Sequence, residues 1–207
     1  MSAGRALWLV SLAAVLANAS WFSATVVVPA LQRQWGLTSA GAAWLVIVVQ
    51  VGFVVGSIGA ALLNLPDRLE PRRLIAAAAV IAGAANGGLL LAHGLATVVP
   101  MRFLVGVALA GVYAPGVRLV ATYFTLGRGM ATGVVVGALT LGSGTPNLVR
   151  GVGGAHWQVT IVVTSALALV AALVVSPVRA GPGAAASPPL DIWLPRARSG
   201  VKVRSGW

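Results

Sequence analysis

An all-α, polytopic membrane protein with six transmembrane helices is the fold class that the sequence predicts. Three observations predict it. Only 8% of the 207 residues are charged while 58% are hydrophobic, a balance that a water-soluble domain of this length cannot spread over its surface. The apolar residues gather in runs of roughly 20, the number a helix rising about 1.5 Å per residue needs to cross a hydrocarbon core about 30 Å thick. The charges collect in short clusters between those runs.

No charge interrupts the chain between Arg5 and Arg33, so the first helix is placed at residues 6–30, with Pro29 marking its outer end because proline cannot donate to the preceding turn. That run is too long for the core of a signal peptide and lacks a clean small-residue cleavage site, so it reads as a retained helix. A turn around Trp35, Gly36 and Ser39 leads to a second helix at residues 41–65, apolar except for Gln50, Ser57 and Asn64. The charged segment Asp67-Arg68-Leu69-Glu70-Pro71-Arg72-Arg73 halts it. A third helix, rich in alanine and glycine, is placed at residues 74–92, and a fourth, containing Arg102 and Arg118, at 96–123. The fifth, at 130–149, carries Gly133, Gly137, Gly142, Gly144 and Pro146; the sixth covers 157–178. Residues 1–179 therefore form the membrane unit. Residues 180–207 turn abruptly to proline, glycine and arginine and are expected to be a disordered cytoplasmic tail.

Basic residues are retained on the cytoplasmic side during insertion, and with the N-terminus inside, Arg5, Arg68, Arg72, Arg73, Arg128 and Arg179 fall there, against Arg33 and Arg150 outside. Both termini are thus expected in the cytoplasm. Trp35 and Trp157 fit an outer interfacial belt, whereas Trp21 lies deeper and faces other helices. The net charge of +11 is not a nucleic-acid signature, because the arginines form short clusters rather than one basic face. With no cysteine, three acidic residues and two isolated histidines, no metal site, cofactor site or catalytic triad can be assembled, and the chain does not read as an enzyme. The lipid bilayer is the first partner.

A charge inside the membrane costs several kcal/mol, roughly, unless it is paired, hydrated or near an interface, which singles out Arg102 and Arg118. Two readings of Arg102 stand side by side: it faces a polar cavity, or its long stem snorkels to the outer interface. Arg118, close to the inner end, reads as snorkelling. Neutral polar groups come next: Asn18, Ser20 and Ser23 in the first helix, Gln50 in the second, Asn86 in the third and Tyr113 in the fourth. Each either lines an aqueous path or hydrogen-bonds a neighbouring helix. Asn18, Trp21 and Phe22 lie within one turn of each other, an amide and two aromatic rings suited to a small organic or anionic solute. Gly52/Gly56 and Gly133/Gly137 have the spacing that lets helix backbones approach closely.

The Asp67–Arg73 segment, an acidic-basic pair followed by two more basic residues after the second helix, resembles the signature loop of the major facilitator superfamily. It departs from the usual pattern at Leu63 and Glu70, where glycines are expected, and Pro71 lengthens it. In the fourth helix, Arg102, Gly106 and Gly111 resemble the family's arginine-glycine motif, and Gly137, Gly142 and Pro146 are similar to its glycine-proline fifth helix. The resemblance implies half of the family fold, six helices as two inverted three-helix repeats, and the alanine- and arginine-rich composition with a single lysine suggests a bacterial source and hence an inner membrane. It implies secondary active transport of a small solute by alternating access, with a coupling proton, Asn18, Trp21, Phe22, Gln50, Arg102 and Tyr113 near the path, and Asp67, Arg68, Arg72 and Arg73 governing the conformational switch. Such a chain is expected to be a truncated or frameshifted transporter, a half that works as a homodimer or with a missing C-terminal half, or a fragment; the Pro/Gly/Arg tail favours truncation. The alternative is a non-transporting membrane protein or helical interaction module.

Overall fold

The structure, a computed structural model, describes residues 1–124, 126–153 and 156–184. The regular structure among the described residues is helical, with six long helices: α1 (Ala3–Trp35), α2 (Ser39–Leu62), α3 (Pro71–Gly87, continued by a 3-10 turn, Gly88–Leu91), α4 (Leu95–Ala121), α5 (Arg128–Gly153) and α6 (Trp157–Val175). All but α5 are long and apolar enough to cross a membrane. At 26 residues α5 has the length, but its glycines, Ser143, Thr145 and Asn147 dilute its apolar character.

The helix ends depart from the sequence expectation for identifiable reasons. α1 starts where the Ser2 hydroxyl accepts the Arg5 N–H, and it runs 33 residues, through Pro29, to a left-handed stop at Gly36 (φ 63°). An end near residue 30 overrates the proline. It removes one hydrogen bond, yet in a bilayer the backbone has few alternatives to helix, so the ladder resumes. Pro100 and Pro115 in α4 and Pro146 in α5 are likewise interior. α2 ends at Leu62 rather than 65; Asn64 then turns left-handed (φ 51°) and a short helical turn, Leu65–Arg68, carries Asp67. α3 begins at Pro71 rather than 74, which moves Arg72 and Arg73 out of the loop and into a helical first turn. Two cations there oppose the helix dipole. Glu70, the residue before the helix, offsets them by pairing with Arg72 (2.7 Å) and Arg73 (3.1 Å).

Beyond α6 the chain folds back rather than leaving the bundle at once. The Gly181 N–H donates to the Thr122 hydroxyl (2.7 Å) and the Gly183 N–H to the Thr122 carbonyl (2.9 Å), at the end of α4. The rest of the expected tail, 185–207, lies outside the described residues.

The packing has an internal two-fold pattern. Exchanging α1 with α4, α2 with α5 and α3 with α6 maps the α1–α5 contact onto α4–α2 and α1–α6 onto α4–α3, while α1–α4 and α3–α6 map onto themselves. This is the arrangement of two three-helix repeats, with α1 and α4 central, α2 and α5 on one side and α3 and α6 on the other. α2 meets α4 most intimately: a Cβ on Gly106 would lie 2.0 Å from the Val49 carbonyl oxygen, and one on Gly52 would lie 2.2 Å from that of Phe103. In α5, Gly142 makes the comparable approach, 2.8 Å from the Val15 carbonyl oxygen of α1, whereas Gly133 and Gly137 meet nothing within 4 Å. The Gly133/Gly137 spacing therefore does not pack a helix among the described residues.

Candidate functional site

The core between α1, α3, α4 and α6 has two apolar blocks. Near the Asp67 end, Val10, Ile75, Ala79, Val105, Leu109, Leu119 and Val175 are buried together; near the opposite end, Val27, Leu31, Leu89, Val98 and Ile161 are. A polar layer separates them, because along each helix its members stand between the two sets. Its centre is Arg102, only 1% exposed. One terminal nitrogen donates to the Ser20 carbonyl (2.9 Å) and to Asn86 Oδ1 (3.2 Å), the other to the Trp21 carbonyl. The Ser23 hydroxyl donates to Asn86 Oδ1 (2.6 Å), and the Asn86 amide nitrogen donates to Thr164 (3.1 Å) and Ser165 (2.9 Å). Four helices are thus tied in one layer without a carboxylate. Partial charges on carbonyl and amide oxygens carry the compensation.

Arg102 therefore neither opens onto a cavity nor snorkels. Its stem could reach the interface only by abandoning acceptors that, once buried, find no others. The sequence singled out Ser20, Ser23 and Asn86 as interhelical glue or path lining; they are glue here.

The cavity lies on the other side of α1 and α4. It has a volume of about 520 Å³ and is lined by Ala14, Asn18, Trp21, Phe22, Phe53, Leu109, Val112, Tyr113, Leu139, Thr140 and Ser143, from α1, α2, α4 and α5. Four of the six path residues singled out from sequence, Asn18, Trp21, Phe22 and Tyr113, come together there. Gln50 does not: α2 buries Leu45, Val48, Val49 and Gly52 as one stripe, and Gln50 faces away, exposed. Phe53 is the aromatic that the sequence reading missed. It stands edge-on to Trp21 (5.1 Å between centroids) and to Tyr113 (6.4 Å), linking α1, α2 and α4 in one aromatic wall. The spacing of Phe53 one turn after Val49, beside the buried stripe, was the available signal. Asn18 is not free to turn, since its amide nitrogen donates to the Leu139 carbonyl (2.7 Å) and so holds α5 against α1. The cavity can take an uncharged or amphipathic molecule: aromatic faces dominate and no ionised group reaches it among the described residues.

At the loop end, Asp67 accepts from Arg118 (2.6 Å), which also donates to the Pro66 carbonyl (3.0 Å). Arg118 thus pins the loop to the end of α4 instead of only snorkelling. Arg72 donates to the Ser176 carbonyl (3.1 Å), tying the start of α3 to the end of α6. The Arg72 hydrogen bond also holds the Glu70 carboxyl below its ordinary pKa. Arg68 and Asp67 line a second, more polar hollow of about 450 Å³ with Arg118, Arg128 and the 180–184 strap. Because Asp67 and Arg118 are both about half exposed, a double-mutant cycle of Asp67→Asn with Arg118→Gln, followed by unfolding in detergent, is expected to give a coupling of about 0.2–1 kcal/mol. A coupling above that range would mean the pair is dehydrated in the folded protein.

The family described as Major Facilitator Superfamily matches residues 10–202. Among solved structures, the fold is similar to that of a bacterial homolog to the human lysosomal transporter Spinster, in an inward-facing and unoccupied conformation, with a TM-score of 0.72 at 18% identity. The alignment covers 92% of this chain and 47% of that one, so the chain spans about half the length of that structure. No curated protein gives a significant match.

Proposed function

The chain belongs to the Major Facilitator Superfamily, and on that premise we propose that it moves a small, uncharged or amphipathic solute across a bacterial inner membrane by alternating access, working with a second six-helix body that closes the open side of its cavity. The observation that carries this reading is the aromatic cavity of about 520 Å³ between α1, α2, α4 and α5. Asn18, Trp21, Phe22 and Tyr113 contact the solute, with Phe53 completing the wall. Arg102 and Asn86 keep α1 and α4 rigid behind it. The loop of Asp67 and Arg68, with Arg72 and Arg73 in the adjoining turn of α3, switches the access state, and the Asp67–Arg118 pair is the contact it makes or breaks. The charge distribution supports a cytoplasmic position for this loop end and for both termini. The coupling proton rides on a group outside this cavity, because no carboxylate or histidine lines it among the described residues.

The chain has no cysteine, which makes the test direct. Thr140→Cys faces the cavity, and Leu141→Cys, 75% exposed on the neighbouring surface, faces outward. Under opposite proton gradients a membrane-impermeant maleimide is expected to label Thr140→Cys from alternate sides of the membrane, and Leu141→Cys from neither. Equal labelling of the two, or labelling of Thr140→Cys from one side under every gradient, would sink the reading.

A further inference from the structure

The end of the bundle opposite the Asp67 loop carries two arginines that the path does not use. Arg33 is in the last turn of α1 and Arg150 in the last turn of α5, 117 positions later in the chain, yet both line one small hollow with Val26, Val27, Trp157 and Thr160. Its volume is about 50 Å³. At about 10–15 Å³ for each water-sized sphere, that is room for roughly four, the bulk of one carboxylate or one tetrahedral oxyanion.

The walls are fixed. Val26, Val27 and Thr160 are each no more than 6% exposed. Trp157 is held by its indole N–H, which donates to Gln34 Oε1 (2.8 Å), and by an edge contact with Trp35 (6.3 Å). Arg150 is aimed across the gap, one terminal nitrogen donating to the Val26 carbonyl (3.1 Å). That contact uses one of the five N–H donors of a guanidinium and neutralises none of its charge.

Arg33 and Arg150 are exposed residues bordering one hollow, and their like charges repel unless an anion lies near both. Among the described residues none stands nearby: Asp67 and Glu70 are at the other end of the bundle. Arg33 and Arg150 are also the two basic residues that the charge distribution leaves on this side, where retained cations are disfavoured. Their convergence is the more telling for that.

We propose that Arg33 and Arg150 form a site for a single oxyanion group, a phosphate or carboxylate, seated against Trp157 and Thr160. The planar guanidinium fork is suited to two-point binding of such a group. Phosphate of this kind is presented either by an anionic phospholipid at the membrane interface or by a free solute.

Thermal unfolding of the full chain in neutral maltoside detergent tests this, with potassium phosphate against potassium chloride at equal ionic strength as one arm and added phosphatidylglycerol against phosphatidylcholine as the other. The unfolding temperature is expected to rise by about 5 °C at saturation in at least one arm. A rise with phosphate identifies a free oxyanion as sufficient; a rise with phosphatidylglycerol alone identifies lipid. In Arg33→Gln/Arg150→Gln the rise is lost, while Arg5→Gln/Arg179→Gln, which removes the same charge at the opposite end, retains it. Should the first double variant not fold, Arg33→Lys and Arg150→Lys keep the charge and are expected to weaken binding several-fold, because an ammonium lacks the fork. The proposal is overturned if neither ligand separates the wild type from the charge-removed variant, if the control variant loses the rise equally, or if both lysine variants bind as the wild type does.

Discussion

Arg102→Ala is expected to lower stability by about 3–5 kcal/mol, the range seen when one partner of a buried charged network is removed or a large core side chain is truncated. The carbonyls of Ser20 and Trp21 lose the arginine donor at once, and Asn86 Oδ1 is left with the Ser23 hydroxyl alone. The change also empties the largest fully buried side-chain volume of the bundle, between two apolar blocks that cannot close over it without moving α1 toward α4. Arg102→Lys is expected to fall between, since a lysine keeps the charge but cannot span acceptors on two helices with a planar fork. Asn86→Ala should approach the arginine variant in cost, because it leaves the guanidinium with the Ser20 and Trp21 carbonyls and a long contact to the Ser23 hydroxyl (3.4 Å) and removes the donor to Thr164 and Ser165. Gln50→Ala, an exposed position on α2, is the control and should stay within about 0.5 kcal/mol. Denaturant unfolding of the detergent-solubilised protein, followed by tryptophan fluorescence, measures all four. An Arg102→Ala variant as stable as Gln50→Ala would show that the polar layer is an ornament of the packing rather than its clamp.

How far the sequence revealed this architecture depends on the kind of signal. Six helices and their order were legible because bilayer thickness forces long apolar runs, and the runs are separated by charges. Their ends were not, since proline and charge both read as interruptions: Pro29 sits six residues inside α1, and Pro71-Arg72-Arg73 opens α3 instead of preceding it. Of the candidate site, Asn18, Trp21, Phe22 and Tyr113 could be found because polar and aromatic groups stand out in an apolar helix. Phe53 could not be told from core by type alone. Arg102 was visible as an anomaly, but its role depends on Asn86, 16 residues earlier, and Ser20, 82 earlier, and no single-helix pattern shows which of several polar residues share a layer. Gln50 failed for the opposite reason: its chemistry fitted a path, while the helical phase set by Leu45, Val49 and Gly52 turns it outward. Phase, applied to α2 before residue type, would have excluded it.

The same question of phase governs the glycines, where spacing in sequence picked out Gly133/Gly137 and Gly52/Gly56 equally and only the second pair has a neighbour. Gly106→Val is expected to be the most damaging single change in the α2–α4 contact. Its Cβ would fall 2.0 Å from the Val49 carbonyl oxygen and 2.8 Å from the Phe53 backbone nitrogen, and neither is the end of a flexible side chain that can swing away. The helices must separate, and separation pulls Phe53 from Trp21 and Tyr113, so the aromatic wall of the cavity opens with the contact. Overpacking in a close-packed interior costs about 1–3 kcal/mol, more when backbone must move, and this site belongs at or above the top of that range. Gly137→Val meets open space and is expected to be neutral or slightly stabilising, because valine in a helix loses less backbone freedom than glycine. Paired unfolding curves decide the matter: equal losses at 106 and 137 would mean that α5 is packed against a partner in the folded protein, and equal tolerance would mean that α2 and α4 do not touch as closely as the carbonyl distances require.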